Sequence, residues 1–154
     1  DCRVVSRHRS SADQLVVDMA IPSKRAEAES TATTEFRGFR LSSRDIESIA
    51  DDPCDLYINC TPVGMKDGPD PEGMSVPVHE LAGKLPPGTV FFDTVYNPIE
   101  TPMLKAAKAH GFRTIDGVQM FVAQAEAQFM MWTDQKPPEG LFDRLVRERL
   151  TTDA

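Results

Sequence analysis

Residues 89–133 alternate twice between a short apolar run and a helical stretch, and this alternation constrains the fold more than any other feature. The run TVFFDTV (89–95) is apolar through its middle and ends on Asp93, Thr94, Val95 and Tyr96. A helix then opens on Thr101-Pro102 and stops at Gly111. Threonine can cap, proline suits the first helical position and glycine suits the exit. FRTI (112–115) is a second short run, ending in Asp116-Gly117, and residues 118–133 read as the next helix. Upstream, DLYINC (55–60) is a third apolar run. Such runs suit parallel strands covered on both faces.

The rest of the chain continues the pattern. Residues 3–6 read as a strand centred on Val4 and Val5. Residues 10–28 read as helical, kinked or broken by Pro22. Residues 29–35 (ESTATTE) read as a polar loop and 36–41 as a strand. Ser42 and Ser43 are expected to cap a short helix, SRDIESIADD, with Glu47 placed to help. Residues 61–87 are rich in Pro, Gly and Asp, too long for a bland connection, and so either functional or mobile. Pro137 and Pro138 end the 118–133 helix, and EGLFDRLVRERL makes a last packing helix. The fold class expected is α/β, a parallel sheet with helices on both faces. Right-handed crossovers align the strand C-termini along one edge, where ligands bind in such sheets.

Composition narrows the function. A chain of 154 residues suits one compact domain. Its 24 Asp and Glu outnumber its 17 Lys and Arg, for a net charge of -7. That argues against wholesale nucleic-acid or anionic-membrane binding. No apolar run approaches the ~20 residues that span a bilayer, and DCRVVSRHRS lacks the apolar stretch of a signal peptide. Cys2, Cys54 and Cys60 form no paired pattern, so neither a disulfide framework nor a zinc site is expected, and a cytoplasmic location fits best. His8, His79 and His110 lack metal-ligand spacing, and no metal is expected. His110 is expected to stabilise a helix C-terminus beside Gly111.

Four strand ends would face one crevice: Ser6-Arg7, Asn59-Cys60-Thr61, Asp93 through Tyr96, and Asp116-Gly117. On the helix that follows Gly117, at about 100° per residue, Val118, Phe121, Val122, Ala125, Phe129 and Trp132 form one stripe, the expected core face. Gly117, Met120, Gln124, Gln128 and Met131 form a neighbouring stripe. Gly117 would let a flat ring approach the backbone, and Gln124 could hydrogen-bond a ligand hydroxyl; a helix-start glycine and a solvated glutamine are the alternatives. Tyr96 either bonds a ligand or packs with its hydroxyl in water. In Arg7-His8-Arg9, arginine could hold a ribose 2′-phosphate, or the segment is a solvated basic turn. G-x-G-x-x-G is nowhere in the chain. The phosphate-cradling turn is expected upstream, or the domain does not hold a dinucleotide in the usual way.

INCTPVGM, FFDTVYNPIETPMLKAAKAHGFRTIDGVQMFVAQAEAQF and WTDQKPP together resemble the shikimate dehydrogenase family. The likeness extends to quinate/shikimate dehydrogenases and to enzymes fused to dehydroquinate dehydratase. It is weaker at VVSRHR, where the family shows V-x-N-R-T. The resemblance implies an NADP-dependent oxidoreductase interconverting 3-dehydroshikimate and shikimate in aromatic amino acid (chorismate) biosynthesis. Residues 1–154 would be its C-terminal Rossmann-like NADP-binding domain, without the first strand and the Gly-rich turn. By position, Ser6, Arg7, His8, Arg9 and Ser11 match the segment holding the 2′-phosphate, although Ser6 and His8 replace the family's Asn and Thr. Thr61 belongs to the loop bordering the cofactor, and Thr94 and Gly117 match backbone positions lining the nicotinamide. Tyr96 and Gln124 match residues that touch substrate. The family's catalytic Lys and Asp have no counterpart here, so the chain alone is expected to be inactive. The alternative is a catalytically inactive Rossmann-like domain that regulates or binds a small molecule. The sheet edge left by the missing strand would favour self-association, with a homodimer as the form expected.

Overall fold

The structure, a computed structural model, describes residues 1–51 and 53–152. It divides after residue 52 into two compact units, each with its own three-stranded sheet.

In the first unit, strand β1 (Cys2–Ser6) leads into helix α1 (Arg9–Met19). The helical stretch expected over 10–28 breaks at Ala20-Ile21. Pro22 starts a single 3-10 turn, and α2 (Arg25–Thr31) resumes. Proline has no N–H for a helix interior, so the break falls there. Next comes a hairpin of β2 (Thr33–Phe36) and β3 (Phe39–Asp45), in the sheet order β1-β3-β2. β3 runs parallel to β1 and antiparallel to β2.

The hairpin corrects two expectations. ESTATTE is not a loop: α2 and β2 take most of it. Ser42 and Ser43 cap no helix; they lie buried inside β3, where both flanking strands use their backbone. The signal was the two-residue turn Arg37-Gly38, with φ of +48° and +84°. Two consecutive positive φ values match the right-handed twist of a tight hairpin. A 3-10 helix over Ile46–Ala50 stands where the capped helix was expected. Asp52, at the end of that expected helix, lies outside the described residues.

The second unit carries the expected parallel sheet. Strands β4 (Leu56–Asn59), β5 (Val90–Asp93) and β6 (Arg113–Ile115) lie in the order β4-β5-β6, all parallel. Two long crossovers make this possible. The first holds α3 (Val78–Leu81), and the second holds α4 (Pro102–Ala109). Thr101 caps α4 by accepting from the Leu104 N–H, Pro102 takes the first turn, and Gly111 exits at φ +78°. Met103, Leu104, Ala106 and Ala107 bury α4 against β5 and β6. Phe91 is fully buried mid-sheet, stacked on Tyr57 at 5.1 Å and near Phe112 at 5.4 Å. Removing such a ring costs about 3–5 kcal/mol. His110 occupies the C-cap position of α4, its backbone N–H bonded to the Ala106 carbonyl, and its Nε2 meets His79 Nδ1 of α3 at 3.0 Å.

Helix α5 (Gly117–Thr133) follows β6, capped by the Asp116 carboxylate on the Gln119 N–H. Helix α6 (Leu141–Thr152) packs on it, with Phe142 edge-on to Phe129 at 5.8 Å. Arg147 of α6 pairs with Asp143 and reaches the Asp116 cap. The expected core stripe of α5 is therefore too broad. Val118 and Val122 are buried, but Phe121 and Trp132 are 39% and 77% exposed. α6 covers the Phe129 side of the helix, about 60–80° round from Phe121 and Trp132.

Candidate functional site

Parallel order brings the C-terminal ends of β4, β5 and β6 side by side, and each end is built differently. β4 and β5 run in matched register, Tyr57 against Phe91 and Asn59 against Asp93. Side chains alternate along a strand, so Asn59 and Asp93 point to the same covered face as those two rings. Asn59 is 2% exposed and Asp93 not at all.

Buried polar groups need partners, and these two have them. The Asp93 carboxylate accepts from Asn59 Nδ2 at 2.9 Å, from the Val95 N–H at 3.0 Å and from the Thr101 hydroxyl at 2.7 Å. Asn59 Oδ1 accepts from the Thr61 N–H at 3.0 Å and the Thr61 hydroxyl at 2.7 Å, while its amide also donates to the Val63 carbonyl. The Thr94 hydroxyl donates to the Asn59 carbonyl at 2.9 Å. The hydroxyls of Thr61 and Thr94 are thus committed to the strand ends. Burial around the Cys60 sulfur, and after it the Asp93 charge, push that thiol up from its ordinary value.

Above these ends lies a hollow of about 420 Å³, lined by Thr61, Met65, Lys66, Thr94, Val95 and Tyr96 among others. The Lys66 N–H donates to the Asn97 carbonyl at 2.8 Å and so joins the two walls. A second depression of about 290 Å³ shares Lys66 and adds Asp67 and Glu72. Tyr96 stands at the mouth, 44% exposed, with its ring 5.2 Å from Phe121 of α5.

Gly117 closes the third end. A Cβ there would lie 2.3 Å from the Val95 carbonyl oxygen and 2.8 Å from that of Thr94. The space freed by this glycine is filled by the chain's own backbone, which brings α5 hard against the end of β5. Gln124 is exposed one turn beyond Phe121 and does not line the hollow.

In the first unit, Ser6 is half-buried, Arg7 and His8 are exposed in the turn from β1 into α1, and Ser11 is exposed in the first turn of α1. No acidic residue occupies the first turn of α1, and the N–H groups of a helix start favour negative charge. Arg9 is committed elsewhere: it pairs with Asp13 at 2.8 Å and Asp45 at 3.0 Å. The bond to Asp13, more than the pair with Asp45, raises its guanidinium above the ordinary value.

A family profile described as the shikimate 5′-dehydrogenase C-terminal domain matches residues 117–147, the span of α5 and the start of α6. The NADP(+) shikimate dehydrogenase of Symbiobacterium thermophilum is 34% identical over 137 residues, which is 88% of this chain and 41% of that enzyme. The chain belongs to the shikimate dehydrogenase family. It spans about two fifths of the length of that relative and 33% of a second, from Methanocella arvoryzae. Among solved structures, a shikimate dehydrogenase in complex with NADP+ superposes with a TM-score of 0.71 at 25% identity, covering 96% of this chain and 46% of that one. The quinate dehydrogenase of Corynebacterium glutamicum, in complex with NAD, gives 0.66 at 28% identity, with 97% and 45% covered.

Of the family residues singled out in the second unit, Thr61, Thr94 and Tyr96 line one hollow, and Gly117 supports its floor. Asn59 and Asp93 were missed as a pair. Their signal was present: each is the polar last residue of an apolar strand, two places after an inward aromatic ring. Register, which pairs them, is not written in either strand alone.

Proposed function

We propose that the chain is the C-terminal, Rossmann-like cofactor domain of an NADP-dependent shikimate dehydrogenase. The whole enzyme would interconvert 3-dehydroshikimate and shikimate in chorismate biosynthesis. The first strand and the Gly-rich phosphate turn would lie outside these residues, as would the general acid-base pair. The carrying observation is the hollow over β4 and β5, lined by Thr61, Thr94 and Val95 with Tyr96 at its mouth.

A flat ring fits such a hollow. The hydroxyls of Thr61 and Thr94 are turned away, and α5 starts flush against β5. Bound there, the nicotinamide would accept or donate hydride at C4. The chain's own part is orientation. The Thr61 loop and the Thr94-Val95 backbone would hold the ring's plane. Tyr96 would offer its phenol to a substrate hydroxyl or carboxylate, and Gln124, exposed on α5 outside the hollow, would have to reach the same substrate from there. In the first unit, exposed Arg7 would bind the 2′-phosphate, with Ser6, His8 and Ser11 beside it. Arg9 would join only by releasing Asp13 or Asp45.

The test is a fluorescence titration of the chain with NADPH and NADH. NADPH should bind more tightly, and Arg7→Ala should remove most of that preference, about tenfold or more for a charged phosphate contact. Equal affinities in the wild type would defeat the NADP assignment. Ordinary turnover of shikimate by the chain alone would defeat the division of labour. A homodimer belongs to the same reading, since among the described residues β4 pairs on one side only and unpaired edges invite association. Sedimentation would give the mass.

A further inference from the structure

We propose that Asp93 is the positioning residue of this site, the one group that sets the Thr61 loop, the Tyr96 turn and the start of α4 relative to one another. The inference rests on the dehydrogenase reading for its purpose but not for its geometry. Asp93 is fully buried at the end of β5. Its three partners belong to three segments. Asn59 Nδ2 leads to the Thr61 loop, the Val95 N–H belongs to the turn carrying Tyr96, and the Thr101 hydroxyl is the cap of α4.

Folding alone does not call for a carboxylate here. The inward neighbours on the same face, Tyr57 and Phe91, are apolar-bodied and buried. Replacing a whole buried polar set by well-packed apolar side chains is often neutral or stabilising, whereas removing the acceptor alone leaves its buried donors unpaired. A carboxylate differs in having direction: it holds three donors at fixed angles. It acts from beneath the hollow, through Asn59 and Val95, and touches no ligand itself. The Lys66 N–H to Asn97 bond joins the same walls nearer the surface, so loss of Asp93 should loosen the walls without detaching them.

Two substitutions separate shape from direction. In Asp93→Asn, the amide oxygen can keep Asn59 and Val95, while the new NH2 donates to Thr101, whose oxygen has a free lone pair. In Asp93→Leu, all three donors are orphaned. The full chain is studied by NMR without ligand and by NADPH titration. Asp93→Asn should keep the Tyr96–Phe121 ring contact and the amide shifts of Thr61 and Val95, with NADPH affinity within about threefold. Asp93→Leu should lose the ring contact, move both amides and weaken NADPH about tenfold or more. A cooperatively folded Asp93→Leu that keeps the contact and both shifts overturns the proposal. Should that variant not fold, Thr101→Val removes only one of the three bonds. It should still move the Thr61 amide, across the site, and an unmoved Thr61 likewise overturns the proposal. A wild-type chain that ignores NADPH counts against the dehydrogenase reading and not against Asp93, since ring contact and shifts are read without ligand.

Discussion

Gly117→Ala asks whether α5 must begin in contact with β5. The added methyl would lie 2.3 Å from the Val95 carbonyl oxygen and 2.8 Å from that of Thr94. To reach even 3.0 Å, the closer pair must part by at least about 0.7 Å, and both partners are backbone. No rotamer change can relieve it. Forcing a methyl into a packed region costs about 1–3 kcal/mol. Against this stand alanine's better helix propensity and a less flexible unfolded chain, together at most about 1 kcal/mol. Setting the full offset against that cost leaves a net loss of about 0–2 kcal/mol, up to several degrees in Tm for a domain of this size. The same displacement opens the gap between α5 and the Tyr96 turn, so the Tyr96–Phe121 contact should lengthen. Urea unfolding gives the stability and NMR gives the contact. An alanine variant as stable as the wild type, with the ring contact unchanged, would refute the argument that the chain's own backbone occupies this space.

The Asp13 carboxyl sits below its ordinary value, held first by the Ser43 hydroxyl and then by Arg9. A carboxyl depressed in the folded state adds stability above its unfolded value, and that stability fades as pH falls through the lower folded value. The first unit should therefore lose stability below about pH 4. Ser43→Ala should move the Asp13 titration back up, and an unmoved midpoint by carboxyl-carbon NMR would contradict the assignment. Cys2 and Cys60 are both exposed, so the raised Cys60 thiol should alkylate more slowly than Cys2 at pH 8, and faster in Asp93→Asn than in the wild type; mass spectrometry after timed iodoacetamide reads both rates.

What could be read from the letters was local. Thr101-Pro102 and Gly111 bounded α4, Asp116-Gly117 opened α5, and apolar runs gave β4, β5 and β6 nearly to the residue. Those signals lie within a few residues of the structure they produce. The hairpin after α2 was missed because its evidence was a single Arg-Gly turn, which competes with the polar look of ESTATTE. Periodicity also misplaced Phe121 and Trp132, because an angle on a helix says which side chains share a face and not what covers that face.

Sequence by itself determined that this chain alternates strand and helix, and that threonine, tyrosine and glycine recur where strands stop. Tertiary structure decided which of those groups face outward. It turned the Thr61 and Thr94 hydroxyls inward, filled the Gly117 gap with Val95, and paired Asn59 with Asp93 beneath the hollow. The reason is that a hydrogen bond is spent on whichever partner lies within about 3 Å. For residues 34 positions apart, that partner is set by strand register, which only the assembled sheet specifies.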